Sequence, residues 1–277
     1  IRSLLSIGFG TKLARKKISL VIQMEYRIPF LDTIGLLMAD KIIFISETLK
    51  KTKNQFILNI IRGKTVVIPF GIKIKDKLLE EYHHFDLLKI PDGSFVIGTM
   101  ASIVPQKGLH FLIDAIKLLM DQGTKNIICC IIGGTPKHMK AYEIELHKQV
   151  EKLGLEDKIL FLGWQRNSIK FLKKMDVFVL PSLSEGLSRA TVEAMWMGKP
   201  VIVTDTGAMK DLVDDSVGRL IPKSDIDALA AAINYFQKNP DAMMMCGEKA
   251  RKRAIEQYSI ENHIHKMREY FSDMSYL

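Results

Sequence analysis

Short runs of apolar, mostly β-branched residues alternate along the chain with longer segments of helical periodicity. Eight of these runs predict strands, at residues 18–22, 41–45, 65–69, 95–100, 127–132, 159–163, 177–180 and 201–204. Between two of them, Leu109, Leu112, Ile116 and Leu119 follow the three- and four-residue spacing of an amphipathic helix. Continuous apolar strands separated by such helices are typical of a parallel sheet covered on both faces. The pattern predicts a doubly wound α/β architecture, whose ligand sites lie at the carboxyl ends of strands.

A domain boundary is predicted between residues 80 and 93. A polar stretch there leads into Pro91-Asp92-Gly93, a turn signal that precedes a fresh strand. We expect residues 1–90 to form an N-terminal Rossmann-like domain, although three predicted strands are few for a self-sufficient doubly wound sheet. Residues 91–257 are expected to form a nearly complete C-terminal Rossmann-like domain. Residues 258–277 are expected to form a helix that packs back toward the N-terminal domain.

Composition narrows the class of protein. With 47% hydrophobic and 26% charged residues among 277, the chain is typical of a soluble globular protein and unlike a disordered or collagen-like one. Its longest apolar runs are about six residues, whereas a membrane-spanning helix needs about 20. Cys129 and Cys130 lie within an apolar run, which indicates buried thiols in a reducing compartment. Since no signal peptide is recognisable, we expect a cytoplasmic location.

Positive charge is concentrated in the first quarter of the chain. Residues 1–77 contain 15 Lys and Arg against 5 Asp and Glu, whereas residues 78–277 contain 25 against 26. One interpretation is a solvated basic face without a specific role. Another is attraction to an anionic surface, either a membrane leaflet or an acidic acceptor. A nucleic-acid partner is not expected, because no nucleic-acid module and no basic-aromatic interleaving are recognisable.

Residues 181–206 are the most informative segment. A strand ends at Leu180, a glycine-containing loop follows, and a helix is predicted over residues 187–197, where Gly198 ends it. Backbone amides and the dipole at the start of such a helix favour a phosphate. Glu185 in the loop and Glu193 in the helix could then accept hydrogen bonds from sugar hydroxyls. Apolar neighbours argue against the alternative that Glu193 is simply an exposed helical residue.

The stretch from Glu185 to Glu193 resembles the Glu-x7-Glu region of retaining glycosyltransferases of family 4, the glycosyl transferases group 1. That family has the GT-B fold, in which two Rossmann-like domains face each other. Further segments similar to the family follow in its order and spacing, at residues 39–47, 66–72, 98–108, 133–134, 162–164, 176–182 and 204–207. None of these is specific alone, but together they extend the resemblance over most of the chain.

The resemblance implies a role for each residue of the phosphate and sugar site. Lys107 would bind the diphosphate of a nucleotide-sugar donor, where the leaving group becomes more negative. Glu185 would contact the transferred sugar near the reacting centre and is the expected catalytic residue. The backbone amides of Gly186, Leu187 and Ser188 would hold the sugar and the phosphates. The alternative for Lys107 is a surface residue at a helix entry.

The nucleoside end of the donor is assigned by the same resemblance. Glu193 would accept hydrogen bonds from the ribose hydroxyls, and Trp164 and Gln165 would lie near the nucleobase. An alternative for Trp164, which follows Leu162 and Gly163, is that its ring closes the core.

The sequence also departs from the family. Many members have an arginine that touches the diphosphate where this chain has Ser102, so another cation, Arg166 or Arg189, would have to substitute. Gln23-Met24-Glu25 stands where an acceptor-side histidine is frequent. The family's N-terminal domain normally opens with a strand and a glycine-rich loop that faces the donor. The resemblance therefore implies a truncated N-terminal domain, and we expect the chain not to be fully active alone.

The implied reaction is transfer of a sugar from a nucleotide-sugar to an acceptor hydroxyl with retention, in cell-surface glycan synthesis. A front-face reaction fits the family better than a double displacement, so catalysis would depend on positioning and charge stabilisation. No cofactor or metal is expected, because Asp225-Ile226-Asp227 is better explained as a helix cap. The expected partners are the nucleotide-sugar, a glycan or lipid-linked acceptor and an anionic membrane surface on the cytoplasmic face.

Two alternatives of other classes remain. One is another GT-B enzyme, a sugar phosphorylase or a nucleotide-sugar epimerase. A phosphorylase would need a pyridoxal lysine and a much longer chain, and Lys107 with Glu185 and Glu193 favours transfer. The other is a truncated, non-catalytic domain that binds a nucleotide-sugar or a protein partner.

Overall fold

The computed structural model describes residues 19–22, 29–73 and 90–272. These form two compact units. The first contains the described residues up to Gly71 together with those from Gln257 onward, and the second runs from Ile72 to Glu256. Most of the predicted boundary at residues 80–93 lies outside the described residues.

The first unit is built on a parallel sheet of three strands in the order β1-β2-β3. Ser19 pairs with Lys41 and Ile42 with Thr65, so the three described strands lie in parallel register. The elements in chain order are β1 (Ser19–Ile22), α1 (Pro29–Met38), β2 (Lys41–Phe44), α2 (Glu47–Lys51), α3 (Gln55–Ile61) and β3 (Thr65–Val67). The central strand β2 is apolar and buried, as its unbroken Ile-Ile-Phe run predicts.

The C-terminal helix also belongs to the first unit. This helix, α11 (Ile260–Phe271), starts at Ser259, whose hydroxyl caps the N–H of Asn262. The Tyr270 hydroxyl accepts a hydrogen bond from the N–H of Ile42 and donates one to the carbonyl of Lys64. One phenol group thus joins α11 to both β2 and the start of β3.

The second unit contains a parallel sheet of six strands in the order β6-β5-β4-β7-β8-β9. Its elements in chain order are β4 (Phe95–Met100), α4 (Leu109–Asp121), β5 (Ile127–Ile132), α5 (Lys140–Leu153), β6 (Ile159–Gly163), α6 (Ile169–Leu172), β7 (Val177–Leu180), α7 (Arg189–Trp196), β8 (Val201–Thr204), α8 (Met209–Leu212), β9 (Gly218–Ile221), α9 (Ile226–Lys238) and α10 (Pro240–Tyr258). The chain adds strands first on one side of β4 and then, from β7, on the other. The strand order therefore reverses between β4 and β7, which we call the switch point.

Both faces of this sheet are buried. Ile127, Cys129 and Ile131 share a core cluster with α4 and α9, while Ile128 and Cys130 are equally buried on the opposite face. The three cysteines are free thiols in buried positions. The doubly wound α/β architecture is therefore confirmed, and it leaves the carboxyl ends of β4 and β7 as the natural ligand crevice.

All eight predicted strands are confirmed, and the residues that the structure describes contain one further strand that was not predicted. That strand, β9, pairs in parallel with β8. It reads Gly-Arg-Leu-Ile, and so lacks the apolar run that identified the others. Gly218 is required by packing, because a Cβ there would lie 1.9 Å from the carbonyl oxygen of Val201. The glycine that this close approach of two backbones requires is thus one reason why β9 lacks the apolar pattern of a strand.

No helix within residues 19–22, 29–73 and 90–272 is both long enough and apolar enough to cross a membrane.

Candidate functional site

The loops that follow β4 and β7 touch each other at the switch point. The N–H of Leu183 donates a hydrogen bond to the carbonyl of Gln106 at 2.8 Å. Gly108 has φ 64°, and a Cβ there would lie 2.0 Å from the carbonyl oxygen of Pro181. Only glycine fits both the left-handed backbone and this close approach. The glycine thus lets the 3-10 turn Pro105–Lys107 sit directly against the β7 loop.

Lys107 and Glu185 form an ion pair across this contact. The Nζ atom of Lys107 lies 2.6 Å from Oε2 of Glu185, and the side chains are 24% and 13% exposed. The Ser182 hydroxyl donates to the same carboxylate oxygen at 3.0 Å. The fold thus brings together two predicted site residues that are 78 positions apart in sequence. Lys107 stands at the entry of α4, but it is not a freely solvated lysine, because its ammonium group is directed to a largely buried carboxylate.

The loop after β8 fixes the backbone of Glu185. Gly207 has φ 55°, and a Cβ there would lie 1.7 Å from the carbonyl oxygen of Glu185. The Thr206 hydroxyl also contacts the carbonyl of Leu183 at 3.5 Å. The position of the Glu185 carboxylate is therefore set by three loops.

Helix α7 begins two residues later than predicted, at Arg189. The Ser188 hydroxyl accepts a hydrogen bond from the N–H of Thr191 at 3.2 Å, which makes Ser188 the N-cap. Gly186 and Leu187 therefore precede the helix. Within the described chain, the N–H groups of Gly186, Leu187 and Ser188 have no hydrogen-bond acceptor. Unpaired amides at the start of a helix favour an anion.

Glu193 is a half-buried carboxylate on α7. Its side chain is 15% exposed, and Oε1 accepts a hydrogen bond from Nε of Arg189 at 3.1 Å. Burial raises the pKa of Glu193 above its ordinary value, while the Arg189 guanidinium opposes the shift. Glu193 is thus not an exposed helical glutamate, and Arg189, 68% exposed, is partly neutralised by it.

A cavity of about 530 Å³ connects Glu193 to the loop after β6. Its lining residues are Gln165, Arg166, Asn167, Ser168, Ile169, Lys170 and Glu193. Gln165 is fixed at the cavity edge, because its side-chain amide donates to the carbonyl of Leu162 at 2.7 Å. Two residues predicted to bind the nucleoside, Gln165 and Glu193, therefore line one space.

Trp164 does not close the core, since its side chain is 72% exposed. The base of the side chain lies close to Gly134, where an added Cβ would come within 3.3 Å of the Cβ of Trp164. A large indole left in solvent, next in sequence to the cavity-lining Gln165, is available for stacking.

Ser102 lies exposed in the loop after β4 and makes no side-chain contact with Lys107 or Glu185 within the described residues. Of the two cations considered as substitutes, Arg189 is engaged by Glu193, and Arg166 lines the cavity. Ser182 and Gly207 were not predicted as site residues. Ser182 lies in the same loop as Glu185, three residues before it, so the sequence could have indicated Ser182. The contact of Gly207 with Glu185 depends on the order of the strands.

Asp225 caps α9, as predicted, by accepting a hydrogen bond from the N–H of Ala228 at 2.8 Å. Across the described residues, no group of three or more His, Cys, Asp or Glu side chains is arranged to hold a metal ion.

Comparison with known proteins identifies the class. The model of the family described as glycosyl transferases group 1 matches residues 83–253, more than half of the chain. The chain therefore belongs to this family.

Individual relatives agree with this assignment. The chain is 28% identical over 247 residues to the capsular polysaccharide biosynthesis glycosyltransferase CapM of Staphylococcus aureus, covering 83% of this chain and 60% of that protein. It is 28% identical over 216 residues to the UDP-Gal:alpha-D-GlcNAc-diphosphoundecaprenol alpha-1,3-galactosyltransferase of Escherichia coli, covering 76% and 54%. The chain thus spans a little over half the length of these curated relatives.

A solved structure shares the fold. The crystal structure of Anabaena Alr3699/HepE in complex with UDP superposes with a TM-score of 0.84 at 21% identity, covering 99% of this chain and 77% of that one. The architecture is therefore of the GT-B type.

Proposed function

We propose that the second unit carries the donor site of a retaining glycosyltransferase, which moves a sugar from a nucleotide-sugar to an acceptor hydroxyl. The observation that carries this proposal is the Lys107–Glu185 ion pair at the switch point, beside the free amides of Gly186, Leu187 and Ser188. An ammonium group and unpaired backbone amides suit a diphosphate. A fixed carboxylate next to them suits the hydroxyls of a sugar attached to that diphosphate.

In the proposed step, a bond forms between the acceptor oxygen and the anomeric carbon while the bond from that carbon to the phosphate oxygen breaks. The acceptor proton passes to the departing phosphate on the same face, which retains the configuration. Lys107 stabilises the charge that develops on the leaving nucleotide. Glu185 orients the sugar, and its three-loop support keeps it in place. The proposal requires no metal ion.

The nucleoside is proposed to occupy the cavity between α7 and the loop after β6. Glu193 accepts hydrogen bonds from the ribose hydroxyls there, and Trp164 with Gln165 contacts the base. Ser102 lies on the diphosphate side, where Arg166 is the proposed substitute for the family's arginine. UDP is the first nucleotide to test, because the fold is shared with a structure in complex with UDP.

The acceptor is proposed to be a glycan or a lipid-linked sugar, used at the cytoplasmic face of a membrane in cell-surface polysaccharide synthesis. The name of the Staphylococcus aureus relative refers to capsular polysaccharide, and that of the Escherichia coli relative to a diphosphoundecaprenol-linked sugar. The excess of positive charge in residues 1–77 is consistent with a membrane-peripheral placement.

Calorimetric titration with UDP, GDP and ADP tests the donor site. One nucleotide should bind, and Glu193→Ala should weaken that binding about tenfold or more, as expected for loss of a charge-assisted hydrogen bond. Glu151→Ala, which removes an exposed helical carboxylate, is the matched control. The unmodified chain should bind the 2′-deoxy form of the nucleotide more weakly than the ribonucleotide. Glu193→Ala should bind both forms with the same affinity. If the folded chain binds none of the three nucleotides, the proposal fails and a partner-binding domain is favoured.

A further inference from the structure

Ser182 is a buried serine in the loop that follows β7. It is 1% exposed, and its hydroxyl oxygen lies 3.0 Å from Oε2 of Glu185. A serine hydroxyl carries a single hydrogen, and an ionised carboxylate only accepts hydrogen bonds. The hydrogen of Ser182 is therefore committed to Glu185, and burial keeps this hydroxyl away from any ligand in the crevice.

A second buried hydroxyl holds the backbone of Ser182. Thr204, the last residue of β8, is also 1% exposed, and its Oγ1 atom donates to the carbonyl of Ser182 at 2.5 Å. The bond lies just beyond the paired part of the two strands, since β7 and β8 pair as far as Leu180 and Val203. The position from which Ser182 donates is thus fixed by the end of a neighbouring strand.

Both described partners of the Glu185 side chain bind the same oxygen. Lys107 lies 2.6 Å and Ser182 3.0 Å from Oε2. Among the described residues, Oε1 has no hydrogen-bond partner. A carboxylate accepts at both of its oxygens, so the carboxylate is held at one oxygen and open at the other.

Lys107 and Ser182 differ in what a bound donor does to them. The ammonium group of Lys107 is part of the proposed diphosphate site, so a donor divides its attraction between the phosphate and Glu185. The Ser182 hydrogen bond involves no ligand group and persists when the donor binds. Ser182 is thus the side chain that holds Oε2 independently of the ligand.

We propose that Ser182 is a positioning residue, which holds Glu185 through Oε2 so that Oε1 accepts a hydrogen bond from the sugar of the donor. The proposal rests on the donor site proposed above and assigns Ser182 to recognition of the sugar, not of the nucleotide. A carboxylate fixed before the sugar arrives loses less conformational freedom on binding it. The expected signature is therefore a loss of affinity confined to ligands that carry a sugar.

Calorimetric titration of Ser182→Ala with UDP and with UDP-sugars tests the proposal. The probes are UDP-glucose, UDP-galactose and UDP-N-acetylglucosamine, and GDP with GDP-mannose replaces them where GDP is the nucleotide that binds. Affinity for the sugar nucleotide that binds most tightly should fall about fivefold to tenfold, the scale of one hydrogen bond to a charged group. Affinity for the nucleotide without the sugar should change by less than about twofold.

Thr204→Val is the matched control for a purely structural role. It removes the other buried hydroxyl of this loop and leaves the bond from Ser182 to Glu185 in place. Thermal melts should show a loss of stability in Thr204→Val, and any loss of affinity should be the same for UDP and the UDP-sugar. If Ser182→Ala also weakens both ligands equally, Ser182 only stabilises the loop and the proposal is overturned.

A double-mutant cycle shows whether Ser182 acts through the carboxylate. Glu185→Ala should lower the affinity for the sugar nucleotide more than Ser182→Ala does. Adding Ser182→Ala to Glu185→Ala should have no further effect, because no carboxylate is left to hold. Losses that multiply in the double variant would overturn the proposal, and so would an unaltered affinity for the sugar nucleotide in Glu185→Ala.

The unmodified chain distinguishes this proposal from the donor site on which it rests. If the chain binds UDP and Ser182→Ala binds every ligand as the unmodified chain does, the positioning role is rejected and the donor site stands. If the folded, unmodified chain binds no nucleotide, the donor site is rejected and the positioning role with it.

Discussion

The ammonium group of Lys107 and the carboxylate of Glu185 meet at 2.6 Å on opposite sides of the switch point. A phosphate that approached Lys107 would compete with Glu185 for the same cation. A sugar hydroxyl that approached Glu185 would compete with Lys107 for the same carboxylate. A nucleotide-sugar can satisfy both at once, because its phosphate and its sugar are covalently joined. The ion pair is therefore well suited to a ligand that carries both groups.

Replacing Lys107 by alanine should weaken UDP binding by about 10- to 100-fold. The change removes a charge-assisted hydrogen bond worth about 1.5–3 kcal/mol and leaves the Glu185 charge without its cation. Lys117→Ala is the matched control, since Lys117 pairs with Asp121 on the exposed side of α4. Calorimetry on both variants decides the matter, and equal affinities would remove Lys107 from the phosphate site.

The affinity for UDP should fall as the pH decreases through the raised pKa of Glu193. Burial raises this pKa above that of an ordinary glutamate, and the protonated carboxyl loses half of its acceptor capacity for ribose hydroxyls. Because the pKa is higher in the folded state, this group stabilises the fold as the pH falls through the same window. A loss of affinity there is therefore not caused by unfolding linked to Glu193. Titrations over this range should show the effect in the unmodified chain and a flatter profile in Glu193→Gln.

Trp164→Ala should lower nucleotide affinity without destabilising the fold. The side chain is 72% exposed, so the free energy of unfolding should change by less than about 0.5 kcal/mol. Loss of stacking on a base should cost about 1–3 kcal/mol of binding. Phe56→Ala removes a comparably exposed aromatic ring from the first unit and should leave UDP affinity unchanged. A thermal melt and a calorimetric titration of each variant suffice, and unaltered affinity in Trp164→Ala would exclude the base contact.

The central strands were predictable because each is a continuous apolar run in a sheet covered on both faces. Residues 127–132 are all buried and all apolar, and a run this short that ends at Gly133 favours a strand over a helix. β9 was not predicted, because its packing requires a glycine and its second residue is an arginine, so it has no continuous apolar run. The start of α7 was misplaced for a local reason, since Ser188 carries the capping signal that Leu187 does not.

The site was only partly predictable. Residue types and spacing indicated Glu185 and Glu193, which are close in sequence. The contact of Lys107 with Glu185 depends on β4 lying next to β7, and that adjacency follows from the order of strands rather than from either motif. The close approach of Gly207 to Glu185 depends in the same way on β7 lying next to β8.

Gly207→Ala should abolish UDP binding and destabilise the second unit. A Cβ at this position would lie 1.7 Å from the carbonyl oxygen of Glu185, so the loop that holds the carboxylate must move. Gly154→Ala is the control for backbone strain alone, because Gly154 has φ 65° and open space around it. That control should cost about 1–2 kcal/mol of stability and leave UDP binding intact. Chemical unfolding measures the stability of the two variants, and calorimetry measures their UDP affinity. Equal values for Gly207→Ala and Gly154→Ala would contradict the argument.

Tyr270→Phe should loosen the attachment of α11 to the sheet of the first unit. The hydroxyl accepts from the N–H of Ile42 and donates to the carbonyl of Lys64, so its removal takes one hydrogen bond from each of these two backbone groups. The expected cost is about 1–3 kcal/mol for each group left unpaired, reduced where water replaces the phenol. Hydrogen–deuterium exchange of peptides that contain β2 reports this directly, because the Ile42 amide loses its acceptor.

Tyr235→Phe serves as the control for this last experiment. Its ring is 38% exposed, and its hydroxyl has no hydrogen-bond partner among the described residues. Exchange in β2 should rise in Tyr270→Phe and stay unchanged in Tyr235→Phe. If β2 exchanges equally in both variants, the Tyr270 hydroxyl does not hold the C-terminal helix, and its attachment depends instead on the bond from Lys41 to the carbonyl of Tyr270 and on the bond between His263 and the carbonyl of Pro69.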